Sequence, residues 1–304
     1  MLKLLVLAGP TASGKSELAL ALSRKVGGEI VNGDSQQIYR GLDAGTAKPT
    51  IAERAEVPHH LVDVVDPGEG MDALRYQALA DRAIADIAGR GALPIVVGGT
   101  GLYLRVLLHG VVPAPGRNPV LRAAMEAQAR QFGRAALHRR LAALDPVAAA
   151  KIGENDLVRV IRALEIAAGG RTQTELFAQH RFRESRYLAR LLAIDRPRPE
   201  LHARIRERLP RLFAGLLAET ALLLARCGGV LPPRLPIGYA EASEVLAGRL
   251  DREEALRRVE VAHRRYARRQ VIWLRKEPGT EWIRPPWDLS SLSWSVAAWF
   301  RHRQ

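Results

Sequence analysis

Residues 9–16 read Gly-Pro-Thr-Ala-Ser-Gly-Lys-Ser, a complete G-x-x-x-x-G-K-S run in a chain of 304 residues. Glycines at this spacing let successive backbone N–H groups turn onto phosphate oxygens. A helix opening at the end of the run adds a fixed positive pole. Gly9, Pro10, Thr11, Ala12, Ser13, Gly14, Lys15 and Ser16 are therefore expected to hold a phosphate or diphosphate. Lys15 would reach the outer phosphates, and the Ser16 hydroxyl would help ligate Mg²⁺. The loop does not choose the reaction, because nucleotide kinases, NTPases and transferases of other phosphorylated substrates all use it. An NTPase should add an acid at the end of an apolar strand. Leu61-Val-Asp63-Val-Val-Asp66 is the nearest candidate, in an untypical setting between His59-His60 and Pro67-Gly68.

The loop needs a strand before it and a helix after it, and both are present. Leu4–Ala8 is a continuous apolar run, and residues 16–25 carry helical spacing at Leu18, Ala19 and Leu22. Further strands are expected at Glu29–Asn32, Leu61–Val65 and Leu93–Val97, with a helix over Ala73–Ala88. Short apolar strands separated by helices predict a parallel α/β sheet covered on both faces. From Pro113 the texture changes. A turn-rich Pro113–Pro119 linker leads into helical segments over Val120–Phe132, Arg134–Leu144, Pro146–Ile152 and Leu157–Ala168. Leu188–Asp195 then reads as a strand returning to the sheet. The expected organisation is a P-loop NTPase-like core over residues 1–112 and 188–304, with basic C-terminal helices, interrupted by an all-helical insertion over 113–187. After Arg196 helices alone are expected, broken at Pro210, Gly228-Gly229, Pro232-Pro233 and Pro236.

Charge separates the same two regions. The chain holds 46 Lys+Arg and 32 Asp+Glu, a net of +14. Residues 1–110 carry 11 basic and 12 acidic side chains, whereas residues 111–304 carry 35 and 20. A neutral small-molecule region beside a basic one fits a site that borders a polyanion. The single cysteine, Cys227, excludes an internal disulfide and a cysteine-based zinc cluster. The apolar N-terminus is too short for a membrane span, so a cytoplasmic protein without a membrane partner is expected.

The stretch after the second strand is more specific. Asn32-Gly-Asp34-Ser35-Gln36-Gln37-Ile-Tyr39 and Gly45-Thr-Ala-Lys-Pro49 resemble the signature D-S-x-Q-x-Y…G-T-A-K-P of the tRNA dimethylallyltransferases, or tRNA isopentenyltransferases. Other motifs follow in that family's order: Val57–Asp63, Gly98-Gly-Thr100-Gly-Leu-Tyr103, Asn155–Glu165, Ile237-Gly-Tyr239 and Tyr266-Ala-Arg-Arg-Gln270. The resemblance runs from residue 9 to about 277. It departs at Gln36, where the family often has an apolar residue, at Ile272, which replaces a common Thr, and at Met71–Leu74.

The resemblance implies transfer of a dimethylallyl group from dimethylallyl diphosphate to an adenosine amine of tRNA. It assigns Asp34 as general base and Thr100 as a hydrogen-bond donor to the bridging oxygen of the leaving diphosphate. An arginine from the Leu201–Arg208 helix would reach the same diphosphate. Arg204 and Arg208, four apart, share a face, and the choice between them stays open. Positions matching tRNA contacts are Asp34, Ser35, Gln36, Gln37, Thr100, Arg122, Val158, Arg159, Val160, Ile161 and Arg162. Val160, Ile161 and Leu164 also have the phase of packed residues. Arg264, Arg265 and Arg268, clustered between Arg252 and Lys276, suit contacts to the tRNA backbone. Mg²⁺ is expected with the diphosphate, and a monomer is expected. Two other readings stay open: a P-loop kinase or an isopentenyltransferase acting on free adenine nucleotides, and an RNA-binding P-loop protein without activity. The basic second region disfavours the former, and Asp34 with Thr100 beside an intact loop disfavours the latter.

Overall fold

The computed structural model describes residues 1–180, 182 and 185–302; positions 181, 183 and 184 of the expected insertion and 303–304 of the expected core lie outside them. The chain divides into two compact units, residues 1–108 with 185–304, and residues 109–184.

In the first unit, the strands are β1 (Lys3–Ala8), β2 (Gly28–Asn32), β3 (His59–His60), β4 (Leu93–Gly98), β5 (Leu188–Ile194) and β6 (Thr280–Ile283). They form one sheet in the order β3-β2-β4-β1-β5-β6, and every neighbouring pair is parallel. Residues of β1 alternate between faces, as the two-residue period of a strand demands. Leu4, Val6 and Ala8 pack with Tyr76, Ile84, Tyr103 and Leu107. Leu5 and Leu7 pack with Leu18, Leu22 and Val296. Those partners come from α1 (Lys15–Val26), α3 (Ala73–Gly89), α4 (Gly101–His109) and α13 (Leu289–Arg301), with α2 (Ile51–Glu56) short and bearing no buried residue. A third cluster joins α10 (Arg198–Arg226), α11 (Tyr239–Leu246) and α12 (Arg252–Leu274) around Phe213, Leu216, Tyr239 and Val259.

The second unit is helical: α5 (Pro119–Phe132), α6 (Arg134–Leu144), α7 (Pro146–Lys151), α8 (Leu157–Ala168) and α9 (Gln173–His180). Its own core contains Met125, Leu137, Leu141, Ile152, Val160 and Leu164.

Three expectations are corrected. Leu61–Val65 is not a strand. The pairing stops at His60, and Leu61 and Asp63 take left-handed conformations at φ 62° and 59°. The Asp63 carboxylate is drawn aside by Lys48 Nζ and Arg54 Nη1, each at 2.6 Å, so the apolar run bends away from the sheet. The region after Arg196 is not purely helical, since β6 pairs along β5 from Leu191 to Ile194. Pro210 does not break α10, which runs 29 residues through it. Pro210 removes one backbone donor on an exposed face, while Leu209, Leu212 and Phe213 anchor the same turn in the core.

The strand order places the chemistry. Strand β4 lies between β1 and β2, with Gly98 beside Ala8 and Val97 beside Asn32. The loops leaving these three strands therefore meet at one carboxyl edge, where ligands of open α/β sheets bind.

Candidate active site

The first of those loops is the phosphate run. Ala12 at φ 65° and Gly14 at φ 94° turn it tightly, and Gly14 caps α1 without any side-chain hydrogen bond. The first-turn N–H groups of α1 are thus left facing outward for an anion. Arginines brace the loop from the second half of the chain. Arg196 Nε donates to Ser13 O at 3.1 Å, Arg204 Nε to Ala12 O at 2.9 Å, and Arg208 Nη2 to Thr11 Oγ1 at 2.6 Å. Arg204 also pairs with Glu17 at 3.2 Å.

The second loop carries Asp34. Asn32 bonds it on both sides: its Nδ2 donates to Asp34 O and to Leu61 O, each at 3.0 Å, and its Oδ1 accepts from Asp34 N at 2.9 Å. Asp34 Oδ1 accepts from Gln36 N at 2.9 Å, and Oδ2 has no hydrogen-bond partner among the described residues. The third loop carries Thr100. Thr100 N donates to Gly33 O at 3.4 Å, and Ser35 N donates to Thr100 Oγ1 at 2.9 Å, so both neighbours of Asp34 are tied to the Thr100 turn. That approach requires Gly98. A Cβ there would fall 2.2 Å from the Gly33 backbone.

The first two of these loops open into a cleft of about 1010 Å³ whose lining includes Thr11, Lys15, Ser16, Asp34, Arg204, Arg208, His263 and Tyr266. Burial pulls the Lys15 ammonium below the ordinary lysine range. Asp34 acts in the opposite direction, and Arg208 adds to the depression. Burial likewise lowers the Arg208 guanidinium, with Arg204 contributing repulsion. Burial and the nearby Arg208 push His263 down to about 4, which keeps it neutral beside this cluster at physiological pH. The phosphate loop is thus bordered by desolvated cations with the Asp34 carboxylate close by, an arrangement suited to a diphosphate that must leave while a proton is taken up.

The segment after Asp34 is rigidly held. Gln37 Nε2 donates to Thr46 O and Ala47 O at 3.2 and 3.0 Å, and Gln36 Nε2 donates to Ser35 Oγ at 2.9 Å. Lys48, 9 % exposed, bonds Tyr39 O, Asp43 and Asp63. Glu219 accepts from the N–H groups of Asp43, Ala44 and Gly45 and from the Tyr239 phenol. Asp63, the nearest candidate acid for an NTPase, is occupied by Lys48 and Arg54 and does not line the cleft.

In the helical unit, Val158 and Arg159 project outward, Val158 at 66 % exposure. Arg122 and Arg162 converge on the buried Glu165, at 2.7 and 3.6 Å, and Arg162 also donates to Pro115 O at 2.7 Å. The expectation that Val160 and Ile161 contact RNA is corrected. They are 0 % and 1 % exposed and belong to this unit's core. On α12, Arg265 and Arg268 are exposed, while Arg264 is part-buried and held by Glu260.

Sequence reasoning assigned no role to Gln270, Tyr266, Glu219 or Arg196. A signal for Gln270 existed. The inward face of α12, Ala255, Val259, His263, Ala267, Gln270 and Leu274, is apolar except at His263 and Gln270. Polar residues at packed positions need partners.

Among the described residues no three His, Cys, Asp or Glu side chains are placed to hold a metal ion, and no helix is long and apolar enough to cross a membrane.

A family model described as IPP transferase matches residues 37–277. The chain is 68 % identical over 293 residues to the tRNA dimethylallyltransferase of Anaeromyxobacter dehalogenans strain 2CP-C, covering 96 % of this chain and 98 % of the relative. It is 53 % identical over 287 residues to that of Myxococcus xanthus, covering 94 % and 93 %. The tRNA Δ(2)-isopentenylpyrophosphate transferase of Staphylococcus epidermidis superposes with a TM-score of 0.72 at 30 % identity, each chain fully covered. A eukaryotic dimethylallyltransferase crystallised acting on tRNA gives 0.78 at 29 %, covering 99 % of this chain and 77 % of that one. By sequence and by fold, then, the chain belongs to the IPP transferase family.

Proposed function

We propose that this protein transfers a dimethylallyl group from dimethylallyl diphosphate to the exocyclic amine of the tRNA adenosine 3′-adjacent to the anticodon (position 37), releasing diphosphate. The observation that carries the reading is the convergence of the phosphate loop and the Asp34 carboxylate on one cleft, with the Thr100 hydroxyl bonded to the residue next to Asp34.

An adenine amine is a weak nucleophile because its lone pair is delocalised into the ring. Asp34, with Oδ1 fixed by Gln36 N and Oδ2 unpartnered, accepts the amine proton as the new bond to the allylic carbon forms. Charge grows on the diphosphate as the carbon–oxygen bond breaks. Lys15 and the α1 amides stabilise it, and the Thr100 hydroxyl donates to the bridging oxygen. Arg208, part-buried and bonded to Thr11 Oγ1, is the arginine for the diphosphate; Arg204, bonded to Ala12 O and Glu17, braces the loop. Ser16, which lines the cleft, offers Mg²⁺ one hydroxyl beside the diphosphate oxygens, an all-oxygen set suited to that hard ion. Bound there, Mg²⁺ would neutralise part of the leaving group's charge.

The acceptor base must leave its stack to reach Asp34. Ser35, Gln36 and Gln37 border that carboxylate; Val158, Arg159 and Arg162, on α8, are further positions for tRNA contact. The protein acts as a cytoplasmic monomer. The basic face of α12 receives the tRNA backbone, so Arg265→Ala with Arg268→Ala should weaken tRNA binding. The slope of log K against log salt should become shallower by about one for each phosphate no longer neutralised. Filter binding across a salt series checks this; an unchanged slope would make those arginines solvated surface.

Diphosphate release tests the reaction as a whole. It should require dimethylallyl diphosphate and unmodified tRNA together. Release with AMP replacing tRNA, or ATP consumption instead, would favour the free-nucleotide or kinase reading.

A further inference from the structure

Helix α12 presents basic residues on its outer face and a buried amide, Gln270, on its inner face. Gln270 is 3 % exposed, and an amide so placed is costly unless its oxygen and nitrogen both find partners. Its Oε1 accepts from Thr11 N at 2.8 Å, and its Nε2 donates to Gly99 O at 3.1 Å. These partners belong to different loops. Thr11 lies in the phosphate loop after β1, and Gly99 in the turn after β4 that carries Thr100. The fit is close: a Cβ on Gly99 would fall 2.1 Å from Gln270 Nε2 and 2.8 Å from Gly9 O. Tyr266, one turn earlier on α12, lines the cleft, and its phenol is held above the ordinary tyrosine range chiefly by burial.

We propose that Gln270 is a positioning residue for the transfer reaction: its one amide spans the phosphate loop and the Thr100 turn and sets the distance between them. The inference rests on the proposed function, because that distance is the one between the bound diphosphate and the hydroxyl that bonds its bridging oxygen. Among the described residues no other side chain is hydrogen-bonded to both loops. Displacing a reacting group by about 1 Å costs on the order of 10²-fold in rate. The outer face of α12 is unchanged by such a substitution, so tRNA affinity should be unaffected.

The test compares wild type with Gln270→Met, which fills the space without hydrogen bonds, and Gln270→Glu, which keeps the acceptor for Thr11 N but sets an oxygen against Gly99 O. Single-turnover rates at saturating dimethylallyl diphosphate and tRNA should fall roughly 10- to 100-fold in both. The KM for tRNA should stay at the wild-type value, and inorganic pyrophosphate should still raise the melting temperature. A folded variant of either kind turning over at the wild-type rate would overturn the proposal, as would a rate loss matched by an equal loss of tRNA affinity. A wild-type protein inactive on both substrates would instead overturn the function on which the inference rests.

Discussion

Replacing Asp34 by Asn or Ala should lower kcat by about two to four decades while tRNA still binds. The two substitutions separate chemistry from architecture. Asp34 Oδ1 holds the Gln36 N–H and so shapes the turn, a bond that an Asn oxygen can keep. Asn cannot accept the amine proton. If the carboxylate is the base, Asn and Ala should be similarly slow in rapid-quench turnover, with tRNA Kd unchanged for Asn. Recovery of activity in Asp34→Asn would show that the residue serves the turn alone. The loops predict which parameter moves: Gly33 and Ser35 are bonded to the Thr100 turn by their own backbone, so the frame stands without the carboxylate.

Lys15→Met should cost about 10²- to 10³-fold in kcat/KM for dimethylallyl diphosphate, again with tRNA affinity retained. Burial lowers the pKa of this ammonium, and a diphosphate beside it would act in the opposite direction, favouring the charged form. The gain grows as charge moves onto the leaving group, so part of the loss should appear in kcat. Arg in its place should not rescue, because a planar guanidinium fork does not reproduce the compact point charge of the ammonium. Steady-state kinetics with dimethylallyl diphosphate as the varied substrate checks this. A loss confined to KM would mean that Lys15 binds the ground state and transition state equally.

Contiguous features were legible in the sequence. The phosphate loop, β1 and the turns bearing Asp34 and Thr100 are each short and locally determined, and apolar runs flank them. The failures have physical causes. Leu61–Val65 has the composition of a strand, but Lys48 and Arg54, 15 and 9 residues from Asp63, draw that side chain into a left-handed bend. β6, Thr-Glu-Trp-Ile, is a four-residue edge strand with a charge in it, too short to stand out from its neighbours. The matched stretch 158–162 spans more than one helical turn, so it necessarily includes inward positions, and Val160 and Ile161 occupy them. Gln270 and Glu219 act on backbone 259 and about 175 residues away, contacts that no local pattern encodes. The open choice between Arg204 and Arg208 falls in the same class, since spacing puts both on one face and only their partners separate them.

The central claim is prenyl transfer to one tRNA adenosine, and nucleoside mass spectrometry tests it most directly. Unmodified tRNA incubated with the protein and dimethylallyl diphosphate is digested and compared with a reaction lacking the donor. The account predicts a dimethylallyl-bearing adenosine, mapped by fragment analysis to the position just 3′ of the anticodon, and its absence with Asp34→Asn on the same timescale. Unaltered adenosine, or a prenyl group found on free adenine nucleotide instead, would contradict it.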